Sequence, residues 1–419
     1  MAGQKPILIS GAGLASLLLA RSLLRSSIPF LVFERDQSIS FRAQGYRLRL
    51  SNQGLDAIEE ILGPEGFKKF WDRCSKTGGQ KGFSGIDALT GKDVELNRHL
   101  KKESNNDGLP KEPPREILVS RDNKTIGISR ADMRSLFLEG CEPYVKWGHQ
   151  VTGYKLTPNG VKAVFKDGSE SEEGEMLIGG EGIYSRVAKQ VSEGKLKTYD
   201  TGARGIHGQA PTTAFKALGE GVWRIIDDSK DGGNVMVITN VRPNELDDPN
   251  IKFGWTMSGQ PGTIMPPNDD FSIIGKPAAD LAKSLTSKWH ERVRPLFDQM
   301  DEEEAAFWKI TCSTPSGVPE WNNNPRVTVI GDAVHSMTPA AGIGANTAMR
   351  DSALLGRLLK EAGGWKEGIT EAYEKEMRVY GSEAVLWSYT LATHSFGIKI
   401  DEETTPTVGA TPILRPWEM

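Results

Sequence analysis

The chain has 419 residues, with 51 Lys or Arg against 55 Asp or Glu for a formal net charge of −4, and 38% of its residues are hydrophobic and 25% charged. That balance is ordinary for a folded globular protein and excludes a wholly disordered one. The slight negative charge argues against a sequence-independent nucleic-acid binder, which needs a basic footprint. From the N-terminus, Pro6-Ile7-Leu8-Ile9-Ser10 is a short apolar run that predicts a buried parallel strand. Gly11-Ala12-Gly13 follows as a turn. Leu14 to Leu24 is apolar almost all round and predicts a buried helix, ended by Ser26-Ser27 and Pro29. Phe30 to Phe33 predicts a second buried strand, which completes a βαβ unit with a right-handed crossover.

Leu55 to Phe70 reads as an amphipathic helix broken at Gly63-Pro64. Thr77 to Gly85 is glycine-rich, and Lys101 to Pro114 is polar with three prolines; both read as exposed loops. Ser129 to Gly140 predicts a short helix. Val151 to Phe165 predicts a hairpin turning at Pro158-Asn159-Gly160. The span from Ala203 to Ser258 reads as β-rich, with strand-like runs at Val235 to Thr239 and Phe253 to Met257. Asp280 to Met300 predicts one amphipathic helix carrying Leu281, Leu285, Trp289 and Val293. Arg326 to Ile330 predicts another buried strand. Ala345 to Leu359 and Ile369 to Thr393 predict helices, and the tail from Gly397 is polar and Pro-rich.

Cys74, Cys141 and Cys312 are scattered and form no Cys-x-x-Cys, which predicts reduced, structural thiols and no metal cluster. The N-terminus lacks the apolar stretch of a signal peptide. No run approaches the ~18 apolar residues that span a bilayer. The expectation is a cytoplasmic protein without a nucleic-acid or membrane partner, monomeric or homodimeric.

Two segments carry chemistry. Gly11-Ala12-Gly13-Leu14-Ala15-Ser16 lies between a strand and a helix, the context a dinucleotide fingerprint requires. Gly11 serves the tight turn, Gly13 lets backbone approach a pyrophosphate, and the helix start offers free N–H groups through Leu14 and Ala15. Ser16 stands where a third glycine is usual. Glu34 follows Gly11 by 23 residues at the end of the second strand, where an acid accepts from ribose hydroxyls; Arg35 follows it. The competing reading is a plain glycine turn with a surface Glu. The second segment, Val327-Thr328-Val329-Ile330-Gly331-Asp332, delivers an acid at a strand's carboxyl end. It continues through His335, Pro339, Gly342, Gly344, Ala345 and Asn346 into a helix containing Asp351. His335 reads as a structural histidine beside this loop.

Together these two segments resemble the single-component (group A) FAD-dependent monooxygenases, flavoprotein hydroxylases like para-hydroxybenzoate hydroxylase, and the resemblance spans most of Pro6 to Leu359. It implies an α/β fold: a Rossmann-like FAD-binding domain (GR2-type), an inserted β-rich substrate domain and a helical C-terminal segment. The implied division is 1–74, 113–186 and 318–360 for the FAD-binding domain, 75–112 and 187–317 for the substrate domain, and 361–419 for a C-terminal helix and tail. By the same resemblance Asp332 binds the ribityl chain, and the loop from Gly342 to Asn346 packs on the isoalloxazine. Arg130 corresponds to an arginine that leads a helix and reaches the FAD, and Arg42 and Gly45 lie in a loop that passes the flavin. The segment around Ile178 to Ala188 departs from the family pattern: Glu181 replaces an Asp, and Ala188 stands at the usual Arg position, with Arg186 near.

The implied activity uses NADPH or NADH and O2 to hydroxylate or epoxidise a small organic substrate, aromatic or polycyclic by family default, through a flavin C4a-hydroperoxide. Arg204 is the candidate to hold an acidic substrate or phenolate, with His207 beside it; a solvated loop is the alternative there. A flavin oxidase or dehydrogenase and a non-catalytic FAD-fold binding protein stay open as alternatives. No His-Glu-x-x-His, Ser-His-Asp elbow or second nicotinamide fingerprint is present.

Overall fold

The computed structural model describes residues 4–39, 47–78, 83–96, 120–242 and 245–409. Arg42, Gly45, and the loop expected from Lys101 to Pro114 lie outside them. β1 (Ile7–Ser10) runs into α1 (Leu14–Arg25) and on to β2 (Phe30–Glu34), as the apolar pattern predicts. These strands join a five-stranded, all-parallel sheet in the order 327–329, 176–179, β1, β2, 145–147. Burial on both faces explains why β1 reads as an unbroken apolar run rather than an alternating one. The chain order reverses on either side of β1, and such a switch point opens a crevice at the carboxyl ends of the strands.

A second sheet of seven strands lies beyond the first. Its members include β3 (Phe83–Asp87), β4 (Thr198–Pro211), β5 (Gly221–Asp227), β6 (Val235–Val241), β7 (Lys252–Gly259) and β8 (Ala306–Ser313). They pair in the order β8-β4-β7-β6-β5-β3, with the short strand Asp93–Val94 outermost. Side chains alternate across it. The row Ile225, Val237, Met257, Ile206 is buried in an apolar core that also contains Ala278, Ala279 and Ala282 of the helix Lys276–Thr286. The next row, Arg224, Ile238, Thr256, His207, faces the other way, into a cavity.

Two long helices follow, α2 (Gly344–Ala362) and α3 (Ile369–Phe396). The helix Asn52–Arg73 leaves helical geometry at Gly63, as Gly63-Pro64 predicts, and the hairpin at Pro158-Asn159 forms. Two expectations fail. The glycine-rich stretch Thr77 to Gly85 contributes to two strands, because Ser75–Gly78 pairs with Lys124–Ser129 and β3 pairs in parallel with β5. Long-range pairing overrides the local turn composition. Asp280 to Met300 is not one helix. The chain turns after Thr286, where the His290 N–H donates to the Ala88 carbonyl (2.8 Å), and resumes only as Pro295–Asp298. Trp289 and Val293 are buried nonetheless, packed through the turn rather than along a helix face. Among the described residues no helix is long and apolar enough to cross a membrane, and the three cysteines are buried and free.

Candidate active site

One cavity of about 1130 Å3 is lined by residues of both sheets. That is somewhat larger than the ~300–1,000 Å3 usual for one small ligand. Strand register gathers its parts. Ser10 pairs with Phe33 and with Gly179, and Gly179 pairs with Val329, so four segments end at one level. Hydrogen bonds join the turns that follow: Gly11 N–H to Phe33 O (2.7 Å), Gly180 N–H to Ser10 O (2.8 Å) and Ile330 N–H to Gly179 O (3.0 Å).

Gly11, Gly13, Leu14 and Ala15 line the cavity. Gly11 has φ +87°, and a Cβ there would lie 2.6 Å from the Gly180 carbonyl oxygen. Only glycine fits that turn without strain. α1 begins after Gly13, which offers no side-chain cap, so its first N–H groups open toward the cavity. Glu34 and Arg35 also line it. The Glu34 carboxylate accepts from Ala12 N–H (2.6 Å) and Asp36 N–H (3.0 Å), which holds it beside the turn. Ser16 is not in the lining; its buried hydroxyl faces the backbone of Gly180, where helix and sheet pack closely.

The second loop joins from the far end of the chain. Asp332, Pro339, Gly342, Gly344 and Ala345 line the cavity. α2 likewise starts without a side-chain cap. Asn346 is outside the lining. Its amide accepts from Ser51 N–H (2.8 Å) and donates to the carbonyls of Arg49 (3.0 Å) and Gly342 (3.3 Å), clamping the loop to the strand Arg47–Leu50. Behind the loop, Asp351 accepts from Gly331 N–H (2.6 Å), His335 Nε2 (2.8 Å) and the Tyr380 hydroxyl (2.6 Å). Burial pulls the His335 imidazole down, but Asp351 overrides it and raises its pKa. Asp332 is open to the cavity, and desolvation by the surrounding walls pushes its carboxyl up, opposed by His335 and Arg130. Burial likewise raises Glu181, against hydrogen bonds from Ser185 and Val187.

Arg130 begins the helix Arg130–Leu138 and lines the cavity. Sequence reasoning passed over Arg134, one helical turn on. It is buried and donates to the carbonyls of Ala12 (2.9 Å) and Ile39 (3.1 Å), with Glu34 3.8 Å away. The four-residue spacing from Arg130 is the signal that could have found it. Arg204 is not in the lining. It is buried on β4, paired with Asp200 at 2.6 Å and lying over the Phe271 ring. The candidate that does reach the cavity from that strand is His207, three residues on and on the other face. Among the described residues, eight arginine or lysine side chains line the cavity against four carboxylates. The excess cation suits an anionic ligand.

The sequence model of a family described as an FAD binding domain matches residues 137–388. The dual O-methyltransferase/FAD-dependent monooxygenase elcB of Phaeosphaeria nodorum is 29% identical over 391 residues, covering 84% of this chain. The match spans only 40% of that relative's length. The FAD-dependent monooxygenase thnD of Trichoderma harzianum is 23% identical over 84% of this chain and 82% of its own. Among solved structures, Klebsiella pneumoniae HpxO complexed with FAD and uric acid superimposes with TM-score 0.70 at 19% identity, covering 95% of this chain and 90% of that one. The 2,6-dihydroxypyridine-3-hydroxylase of Arthrobacter nicotinovorans gives TM-score 0.70 at 14% identity, with 98% of each chain covered. These two likenesses establish the fold.

Proposed function

The chain belongs to the FAD binding domain family, and on that premise we propose that it is an FAD-dependent monooxygenase that uses NADPH or NADH and O2 to hydroxylate or epoxidise a small aromatic or polycyclic substrate. The observation that carries the reading is the meeting, at one cavity, of two uncapped helix starts, a ribose-type acid and an excess of cations, with a polar and aromatic sheet face opposite. The residues fit an adenine dinucleotide. The free N–H groups at the start of α1 suit a pyrophosphate, with Arg130 beside them. Glu34 keeps lone pairs for ribose hydroxyls after accepting its two backbone N–H bonds. Asp332 suits ribityl hydroxyls, and the backbone of Gly342 to Ala345 suits a flat ring's polar edge.

FAD, when bound, supplies the electron transfer and oxygen activation. The chain's own groups position and enclose. Arg134 and Glu34 hold the Gly11–Gly13 turn from either side. Asp351 holds Gly331 and so aims Asp332. Burial holds the His207 imidazole down to about 3, so it stays neutral and offers a fixed polar wall. We also propose the discontinuous division into an FAD-binding part and a substrate part, supported by the membership of β3 to β8 in one sheet. A cytoplasmic location, supported by the three free buried thiols, and a monomeric or homodimeric state complete the proposal.

The test is the visible spectrum of purified protein, followed by turnover under labelled oxygen. The expected results are a yellow protein releasing FAD and one labelled atom in the product. FAD with no label in the product points to an oxidase or dehydrogenase. A colourless protein that refuses added FAD overturns the reading.

A further inference from the structure

Across the cavity face of the second sheet, Arg224, Ile238, Thr256 and His207 pair in one row over four adjacent strands, β5, β6, β7 and β4. All four line the cavity. At one end the His207 ring stacks on Trp308, with centroids 4.9 Å apart and planes within 8°. His207 Nδ1 lies 3.1 Å from the Thr256 hydroxyl. At the other end Arg224 lies with its guanidinium 4.7 Å from the Phe83 ring centroid. Its Nε is buried without a hydrogen-bond partner, and no carboxylate pairs with it among the described residues. The neighbouring arginines of this region each have a carboxylate, Arg204 that of Asp200 and Arg242 that of Glu245, both at 2.6 Å, although Arg204 Nε is also without a hydrogen-bond partner.

Arg224 is part-buried and lines the cavity, so its guanidinium keeps a face open there while the Phe83 ring covers another part of it. An anion in the cavity would meet that cation with no protein carboxylate competing for it. Three strand spacings separate Arg224 from His207, roughly 14 Å at ~4.8 Å each. The Arg224 guanidinium leans onto Phe83, on the strand beyond, so its length does not close that gap. A single ring cannot bridge it. Resting on the monooxygenase reading above, we propose that Arg224 anchors the anionic end, carboxylate or phenolate, of a polycyclic aromatic substrate whose rings extend over Ile238 and Thr256 toward the His207–Trp308 wall.

The experiment titrates the FAD-loaded protein with anthracene-2-carboxylate and with its neutral counterpart anthracene-2-carboxamide. The probe's own fluorescence reports binding, and the flavin spectrum reports loading separately. The wild type is expected to prefer the carboxylate by roughly ten- to hundredfold, the range of a charge-assisted pair. R224Q should bring the two affinities within about threefold with FAD content unchanged, and R224K should keep part of the preference. Because the preference is a ratio measured within each protein, partial misfolding of a variant does not imitate its loss. A wild type with no preference, no binding of either probe, or a preference retained in R224Q overturns the proposal. If the preference follows Arg224 while labelled oxygen never enters a product, the anion site stands and the monooxygenase reading falls.

Discussion

Replacing Asp351 tests how the loop proposed to hold the flavin is fixed. Its carboxylate is fully buried and accepts three hydrogen bonds, from Gly331 N–H, His335 and Tyr380. A buried donor left without an acceptor costs about 1–3 kcal/mol. Asp351→Ala strands all three, for a loss of about 3–9 kcal/mol, comparable with the whole stability of many domains. Asp351→Asn keeps the shape and one acceptor oxygen but turns an N–H2 toward a donor, so about 2–4 kcal/mol is expected. The Asn variant is therefore the one to measure, by urea unfolding of the flavin-free protein and by FAD titration of the folded protein. Flavin affinity should fall as well, since Gly331 immediately precedes Asp332. pH adds a further check. The His335 pKa is raised above its ordinary 6.5, so the folded state holds a proton that the unfolded chain releases. That contribution is fully present below about pH 6.5 and is lost as pH rises through the folded pKa. Wild-type stability should decline over that interval, and the decline should flatten in Asp351→Asn. An Asn variant within about 0.5 kcal/mol of wild type, with the same pH slope and FAD affinity, would refute the reasoning.

Other expectations follow from the same geometry. Glu34→Ala removes the acceptor of Ala12 and Asp36 N–H together with the ribose-type acid; FAD should bind about ten- to hundredfold more weakly by titration, with Glu34→Gln intermediate. Asp332→Ala should lose flavin on gel filtration while its circular dichroism stays that of the wild type, because Asp332 opens to the cavity rather than the core. Gly11→Ala forces a Cβ against the Gly180 carbonyl at φ +87°, and thermal unfolding should report a loss of at least about 1–2 kcal/mol. His207→Phe should leave the pH dependence of turnover unchanged between about pH 5 and pH 8, since burial keeps the imidazole neutral there.

The legible parts of the candidate site were those set by local chain chemistry. A glycine turn between an apolar strand and an apolar helix can be read without knowing its neighbours, and so can an acid at the end of the next strand. Arg134 was missed because its role depends on where the Ala12 and Ile39 carbonyls lie, and nothing in its own helix states that. Arg204 was chosen over its neighbours by residue type, yet strand alternation turns His207 to the cavity and leaves Arg204 against Asp200. The Thr77 to Gly85 stretch carried loop composition and became part of two sheets, because backbone pairing with distant strands supplied what its side chains did not.

By itself the sequence determined the βαβ start, the turn at Gly11, the break at Gly63-Pro64 and the two ligand-type loops, each set by interactions within a few residues. Tertiary structure alone decided that those loops, some 320 residues apart, open onto one cavity, through the register of Ser10 with Phe33 and Gly179 and of Gly179 with Val329. It also decided that Arg224 reaches that cavity without an acidic partner, while Arg204 does not reach it. The physical reason is that strand pairing and charge pairing are long-range choices. Their energies belong to two distant segments at once, so no window of the chain contains them.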